Sequence, residues 1–417
     1  MRIFIVEPRG TGGMIHYAYQ LCNALANEGA DVTLVTAQEY ELENLPHNFR
    51  VERLLNMWHL SDPRLTKPPR NPFERMARKI HWSARRGFRA ARLALVWIRL
   101  NAYLIRQQPD IVQFGEIEFP FEVIFLQYLK RKRLVLAEIC HEFESRESTN
   151  LLASIKDRLN TGIYRSFSAI FLHGEANLQK FISLYRIPAE RAHLIVHGNE
   201  QIFPVPPNIG MVSQAMMRRY GLESQNPVVL FFGTLTPSKG IPILIQAFSR
   251  VNQQNEKTRL VIAGMPTKYV DMAAILQLVA DSRLTDKVIF DSRYLSLEEV
   301  GPLMHLAGVV VLPYLNSSQS GAVQVAYAFG RPVVATTVGA FPEDVEEGRS
   351  GFLVPPESSQ QLADAILKII EDHELAQTMG EYARHLSETK YSWEPNARKI
   401  LSVYRKLLEE NKLGKKD

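Results

Sequence analysis

A chain of 417 residues is too long for one hydrophobic core and implies two or three domains. Its 46% hydrophobic and 22% charged residues are those of a globular protein, which excludes a disordered or fibrous chain. Two cysteines, Cys22 and Cys140, exclude a disulfide scaffold and fit a reducing, cytoplasmic compartment.

Short β-rich runs alternate with longer helical patterns, the mark of parallel βα units in an α/β fold. The first run, 2–6, is too short for a signal peptide. It leads into Gly10-Thr11-Gly12-Gly13 and a helix expected over 16–28. The turn suits a tight left-handed bend or a backbone that closely approaches a phosphate or sugar. It does not suit a nicotinamide cofactor: the third glycine of G-x-G-x-x-G would fall at Ile15, and the second strand (31–36) ends at Ala37-Gln38, not at a carboxylate. His16, on the first turn of that helix, is placed to point into a cleft.

Next comes a basic stretch. Twelve cations lie from Arg64 to Arg106, opposed only by Glu74, a net of +11, and Lys130-Arg131-Lys132-Arg133 follows. Trp82, Phe88 and Trp97 are interleaved. The stretch reads as a solvated helix face, or as a surface for anionic lipid or a phosphorylated acceptor. No nucleic-acid-binding pattern accompanies the charge. No uncharged apolar run reaches the roughly 18 residues of a membrane span, since Arg92 and Arg99 bound the best attempt, 93–98.

Further strands are expected at 111–113, 133–139, 169–172 and 193–196, with a helix over 151–166. His141, followed by Glu142 and Glu144, ends one of these strands, where open α/β sheets bind ligands. Glu142 and Glu144 are placed to orient it or to bind hydroxyls. His173 and His197-Gly198-Asn199 end two others, and Gly198 is expected to set a tight turn. His47, His59 and His81 look peripheral. The stretch Phe203-Pro204-Val205-Pro206-Pro207-Asn208 is linker-like. It divides residues 1–205 from 206–390, leaving a helix and a charged, frayed tail in 391–417.

The second half repeats the pattern, with strands at 228–232, 259–262, 288–290, 309–312, 333–336 and 351–353. After the first of them come Gly233-Thr234 and then Lys239-Gly240, before a helix. After the fourth, Ser317-Ser318-Gln319-Ser320-Gly321 opens a helix over 322–329 that carries Gln324. Two strand-to-helix turns in one crevice suit a pyrophosphate, because helix N-termini present unpaired N–H groups and partial positive charge. Lys239 adds a mobile cation. The N–H groups around Ser320, Gly321 and Ala322 serve as caps or as a distal phosphate cradle. Gln319, Gln324 and Glu343 are candidate sugar contacts.

These motifs resemble glycosyltransferase family 4, retaining nucleotide-sugar enzymes of the GT-B fold. The resemblance rests on Gly12-Gly13, Asp110-Ile111-Val112, the strand ending in His141, and Gly233 through Lys239-Gly240. Its most specific part is Ala326 through Thr336, continued by Val338-Gly339, Pro342-Glu343, Gly348, Gly351 through Pro356, and Ser392-Trp393-Glu394. It implies two Rossmann-like domains facing across a cleft, with the C-terminal helix crossing back to the first. It implies diphosphate neutralisation by Lys239 and a place for His141 near the acceptor and the reacting carbon. The chain departs from the family where Thr234 replaces an arginine, and where Ser317 and Val325 replace paired glutamates that contact sugar and ribose. Neutral groups at Gln319, Ser320 and Gln324 would then line the donor site.

The implied reaction transfers a sugar from a UDP- or GDP-sugar to an acceptor hydroxyl, with retention, on a saccharide, glycolipid or lipid-linked precursor. No Asp-x-Asp motif or metal-ligand spacing appears, so neither metal nor cofactor is expected. A nucleotide-sugar epimerase, a silent nucleotide-sugar binding protein and, more remotely, a nicotinamide oxidoreductase are the other readings. The basic stretch points to a cytoplasmic protein, peripheral on the inner face of a membrane.

Overall fold

The computed structural model describes residues 1–56, 72–115, 117, 119–143 and 160–413. Two parallel sheets form the scaffold. The first contains β1 (Arg2–Glu7), β2 (Asp31–Ala37), β3 (Arg50–Leu55), β4 (Ile111–Phe114), β5 (Val135–Ile139), β6 (Ala169–His173) and β7 (Ala192–Ile195), in the order β3-β2-β1-β4-β5-β6-β7. The second contains β8 (Val228–Phe232), β9 (Arg259–Ala263), β10 (Val288–Asp291), β11 (Val309–Leu312), β12 (Val333–Thr336) and β13 (Gly351–Val354), in the order β10-β9-β8-β11-β12-β13. Each strand expected from the sequence is present within two residues at either end.

The helices that matter below flank these sheets. In the first half they are α1 (Gly13–Asn27), α2 (Pro72–Gln107), α3 (Val123–Arg131) and α4 (Glu175–Tyr185). The second half has α5 (Ile209–Arg219), α6 (Ile241–Gln254), α7 (Met272–Asp281), α8 (Leu297–Leu306), α9 (Gly321–Ala328), α10 (Phe341–Asp344), α11 (Ser359–Glu371) and α12 (His373–Glu388), and the chain closes with α13 (Trp393–Leu413). Of the helix expected over 151–166, residues 160–164 are helical and 151–159 lie outside the described residues. So do His59, Glu144 and the cations Arg64, Lys67 and Arg70. The tail expected to fray from 411 continues as helix to Leu413, and 414–417 lie outside the described residues.

Strands buried on both faces need apolar residues at every position. In β1, Ile3 and Ile5 enter a core shared with α1 and α13, whereas Phe4 and Val6 enter a second core beneath α2 and α3. β3 escaped the sequence reading because it is an edge strand with Arg50, Arg53 and Leu54 exposed, so it carries no apolar run. Trp97, expected among the residues able to insert at an interface, is instead a core residue. It is buried, stacks on Phe114 and Phe125, and donates from Nε1 to Glu122 Oε1 at 2.8 Å.

In both sheets the strand order reverses at one place, between β1 and β4 and between β8 and β11. Such reversals open a crevice at the carboxyl ends of the strands. The C-terminal helix crosses back to the first domain. Trp393 Nε1 donates to the Asn199 carbonyl at 2.9 Å, Asn396 Nδ2 donates to the Val196 carbonyl at 2.8 Å, and Tyr404 hydrogen-bonds Gln113. Gly198 serves this crossing and not a tight turn: its φ is not positive, and a Cβ there would meet the Trp393 indole at 2.1 Å.

Candidate functional site

The second domain contributes two turns bound to each other. β8 is followed by Gly233, exposed Thr234 and a short 3-10 turn, Pro237–Lys239, that opens α6. Gly240 has φ +67°, and a Cβ there would meet the Pro313 carbonyl oxygen at 1.9 Å, so only glycine lets the two turns close. The Leu315 N–H donates to the Ser238 carbonyl at 2.8 Å and completes the join. This places Lys239 Nζ over the Tyr314 ring, 3.4 Å from its centroid. Tyr314 is buried, and its hydroxyl hydrogen-bonds Ser320 Oγ at 3.0 Å. Ser320 in turn caps α9 by accepting from the Ala322 N–H at 3.3 Å. An ammonium therefore stands one aromatic ring away from a helix N-terminus, and both favour an anion.

The amides on α9 and its preceding loop face inward. Gln324 is fully buried, and neither its Oε1 nor its Nε2 has a hydrogen-bond partner. Gln319 Nε2 donates across the domain gap to His141 Nδ1 at 3.2 Å, while Gln319 Oε1 is buried without a partner. Buried polar groups are normally satisfied. Two amide atoms of Gln324 and one of Gln319 therefore remain free to pair with a polar group. Ser317 Oγ is spent on the Gln319 carbonyl, and Val325 is buried in the apolar core, so neither position offers a carboxylate substitute.

His141, two residues beyond β5, lies inside a row of rings. It meets Tyr17 edge-on at 4.6 Å between centroids and lies 5.4 Å from His173, which lies 5.2 Å from His197. Tyr17 also contacts Trp393. Burial, reinforced by His197, pushes His141 down to about 3, so the ring is neutral at physiological pH. With Nδ1 accepting from Gln319, the ring carries its proton on Nε2. Glu142, expected to orient this ring, has an exposed side chain. Gln319 and Tyr17 both contact the ring.

At the mouth, the first-domain turn is already filled. Glu41 Oε1 accepts from the Gly12 N–H at 2.6 Å and from His16 Nε2 at 2.7 Å. Tyr294, from the loop after β10, donates to Glu41 Oε1 and Oε2 at 3.0 and 2.8 Å. Burial alone would raise the Glu41 carboxyl, but the His16 hydrogen bond and charge, then Tyr294 and Gly12, outweigh it and hold it below its ordinary value. His16 is buried against this carboxylate, and Gly13 begins α1 with open space around it.

Other contacts join the domains. Glu343 accepts from the N–H groups of Glu175 and Ala176 at 2.8 and 3.2 Å, capping α4 from across the gap. Its carboxylate is engaged by the first domain's backbone. Asn177 Nδ2 donates to the Ser318 carbonyl at 2.6 Å. Gly321 lies against His197 and Glu200: a Cβ there would come within 3.5 Å of the ring and 3.7 Å of Glu200 Oε1. Burial raises Glu200 to about 8, less a contribution from the Gln20 hydrogen bond.

Of the residues proposed from sequence, His141 meets Gln319, Lys239 stands over Tyr314 beside Ser320, and the Gly12 turn is tied through Glu41 to Tyr294. Sequence reading missed Glu41, Tyr294, Tyr17 and Glu200. Tyr294, Glu41 and Glu200 each lie within five residues of a strand's carboxyl end, but in loops with no motif around them.

The comparisons divide the chain as the two sheets do. Residues 11–199 match the family model described as glycosyltransferase family 4, and residues 226–372 match glycosyl transferases group 1. The alpha-D-kanosaminyltransferase of Streptomyces kanamyceticus is 23% identical over 76% of this chain and 83% of its own length. A D-inositol 3-phosphate glycosyltransferase of Corynebacterium urealyticum is 29% identical over 51% of this chain and 51% of its own, so the match spans about half of that relative. Among solved structures, sucrose-phosphate synthase from Thermosynechococcus elongatus superposes with a TM-score of 0.71 at 21% identity, covering 98% of this chain and 99% of that one. Anabaena HepE in complex with UDP-glucose gives 0.71 at 19%, covering 96% and 99%. These last two likenesses are of fold, GT-B. Both family models are of transferases, which disfavours the epimerase and silent-binder readings.

Proposed function

We propose, from the premise that this chain belongs to the family 4 glycosyltransferases of the GT-B fold, that it moves a sugar from a nucleoside-diphosphate sugar to an acceptor hydroxyl with retention. The observation that carries this reading is the Lys239 ammonium over Tyr314, beside the start of α9. In such a reaction the C1–O bond to the β-phosphate breaks, and its electron pair goes to the phosphate oxygen. The acceptor oxygen bonds to C1 on the same face, and its proton passes to that phosphate oxygen. The cost is charge separation, so the growing negative charge must be met by groups already in place. Lys239 and the backbone N–H groups at the start of α9 meet that need.

His141 is suited to donate from Nε2 to a sugar or acceptor oxygen, not to take a proton, because it is neutral and its Nδ1 is engaged. The sugar would meet amides, Gln319 and Gln324, where the family commonly has carboxylates. Thr234, exposed beside Gly233, leaves the remaining diphosphate charge to backbone N–H groups. The nucleotide base is taken as uracil by likeness to HepE, whose complex holds UDP-glucose. The acceptor is taken as a saccharide or lipid-linked saccharide, by likeness to the sugar-transferring relatives and the basic first domain.

The test is a panel of UDP- and GDP-sugars with UDP or GDP release as readout, followed by NMR of the product's anomeric proton. Donor-dependent release with an α-linked product from an α-linked donor supports the reading. Binding of nucleotide sugars without release from any of them, or an inverted product, overturns it.

A further inference from the structure

We propose that the outward face of α2 is a docking surface for an anionic lipid membrane. Among the described residues, one face of the helix packs on the first domain. Near its C-terminal end Val96, Trp97, Leu100 and Leu104 are buried against the first domain. On its other side Phe73, Met76, Ile80, Phe88, Leu95 and Ile98 are exposed by 76, 58, 64, 60, 55 and 54%. Advancing about 100° per residue, these six fall within an arc of about 120°, centred opposite the buried four. Ala84 and Ala91 continue the stripe between them. A second apolar face of this kind has no use in a domain core, and soluble proteins seldom expose one without a partner for it.

Charge selects the partner. From Pro72 to Gln107 the helix carries nine cations and one acid, Glu74. Arg75, Arg78, Lys79 and Arg86 lie off the stripe, and Arg92 and Arg99 flank it. Apolar residues on one face with arginine and lysine around them describe a helix lying in the interface of an anionic bilayer, its cations reaching the headgroups. α3, packed beside α2, also exposes Ile124 and Tyr128, by 66 and 45%, and leads into the exposed run Lys130 to Arg133. Among the described residues no helix is long and apolar enough to cross a membrane, so this contact is one of lying on it.

The placement is consistent with use at the cleft. α2 leads by a short turn into the start of β4, so it runs antiparallel to the strands. Its 36 residues span about 54 Å, against about 23 Å for the seven-residue β2. Its basic first half therefore overshoots the sheet on the side of the strands' carboxyl ends, where the cleft opens.

Vesicle flotation of the full chain tests this without any catalytic readout, so its outcome is separate from that of the transfer reading. Phosphatidylcholine vesicles are compared with vesicles also containing phosphatidylglycerol. Binding is expected to the anionic vesicles only and to weaken with salt. The stripe variant Phe73→Ser, Ile80→Ser, Leu95→Ser should bind at least about tenfold more weakly with an unchanged circular dichroism spectrum. The charge variant Arg75→Gln, Lys79→Gln, Arg86→Gln should lose most of the preference for anionic vesicles. Equal binding to both vesicle types, no binding, or a stripe variant that binds like the parent overturns the proposal. So does a dimer by light scattering that the stripe variant dissolves, since the occupant is then a second copy of this chain.

Discussion

Replacing Lys239 with alanine removes an ammonium but leaves the Tyr314 ring and the Ser320 cap beneath it. If that charge meets the departing diphosphate, turnover of a verified donor should fall at least about tenfold, roughly 1.4 kcal/mol of barrier. kcat should fall more than KM rises, because the charge develops in the transition state. An unchanged kcat would remove Lys239 from the chemistry. The buried titratable groups give opposite pH signatures. His141 and His197 are pushed down by burial to about 3 and about 4, so the unfolded chain binds their protons first, and their contribution to stability is complete above about pH 6.5 and lost as pH falls through those values. Glu200 is pushed up to about 8, so the folded chain holds its proton longer, and its contribution is complete below about pH 4.5 and lost as pH rises through 8. Glu200→Gln should therefore gain in Tm relative to the parent as pH is raised from about 5 to about 9. A Tm difference that does not change with pH would mean Glu200 is ionised in the fold.

At the scale of elements, the joint between β7 and α13 is sensitive to a single added atom. Gly198→Ala would put a methyl group where the Trp393 indole now lies, at 2.1 Å from its ring carbon. Overpacking of that kind costs about 1–3 kcal/mol where the neighbours can shift. Trp393 is also tied to the Asn199 carbonyl, so the shift would pull on the C-terminal helix. Chemical denaturation should show the loss, and an unaltered midpoint would mean the helix docks without that contact. This glycine also shows what the sequence could and could not say. The twelve strands it revealed are buried or half-buried and announce themselves as apolar runs. β3, an edge strand, does not. Lys239 and His141 were legible because they sit at fixed places after such strands. The reason for Gly198 was not, since the indole it makes room for is distant in sequence. Glu41 was not either: it lies in a polar loop, and only folding brings Gly12, His16 and Tyr294 to its carboxylate.

At the scale of the molecule, the two domains hold each other by polar contacts at the rim. Glu343 caps α4, Asn177 reaches Ser318, and Tyr294 reaches Glu41. The last contact opposes the proposed chemistry. Glu41 is an ionised carboxylate on the Gly12 N–H, in the turn whose sequence suits a close approach to a phosphate or sugar. Two anions do not share one such amide, so nucleotide-sugar binding there has to displace Glu41 and break its bond to Tyr294. Glu41→Gln keeps the size and one acceptor oxygen but removes the charge, and should tighten nucleoside-diphosphate binding about tenfold by titration calorimetry. Tyr294→Phe removes the cross-domain bond, worth about 1 kcal/mol for a half-exposed pair, and should tighten binding less while raising the unliganded radius of gyration in solution scattering. If Glu41→Gln instead weakens binding, the carboxylate accepts a substrate hydroxyl and is part of the site, not a plug in it.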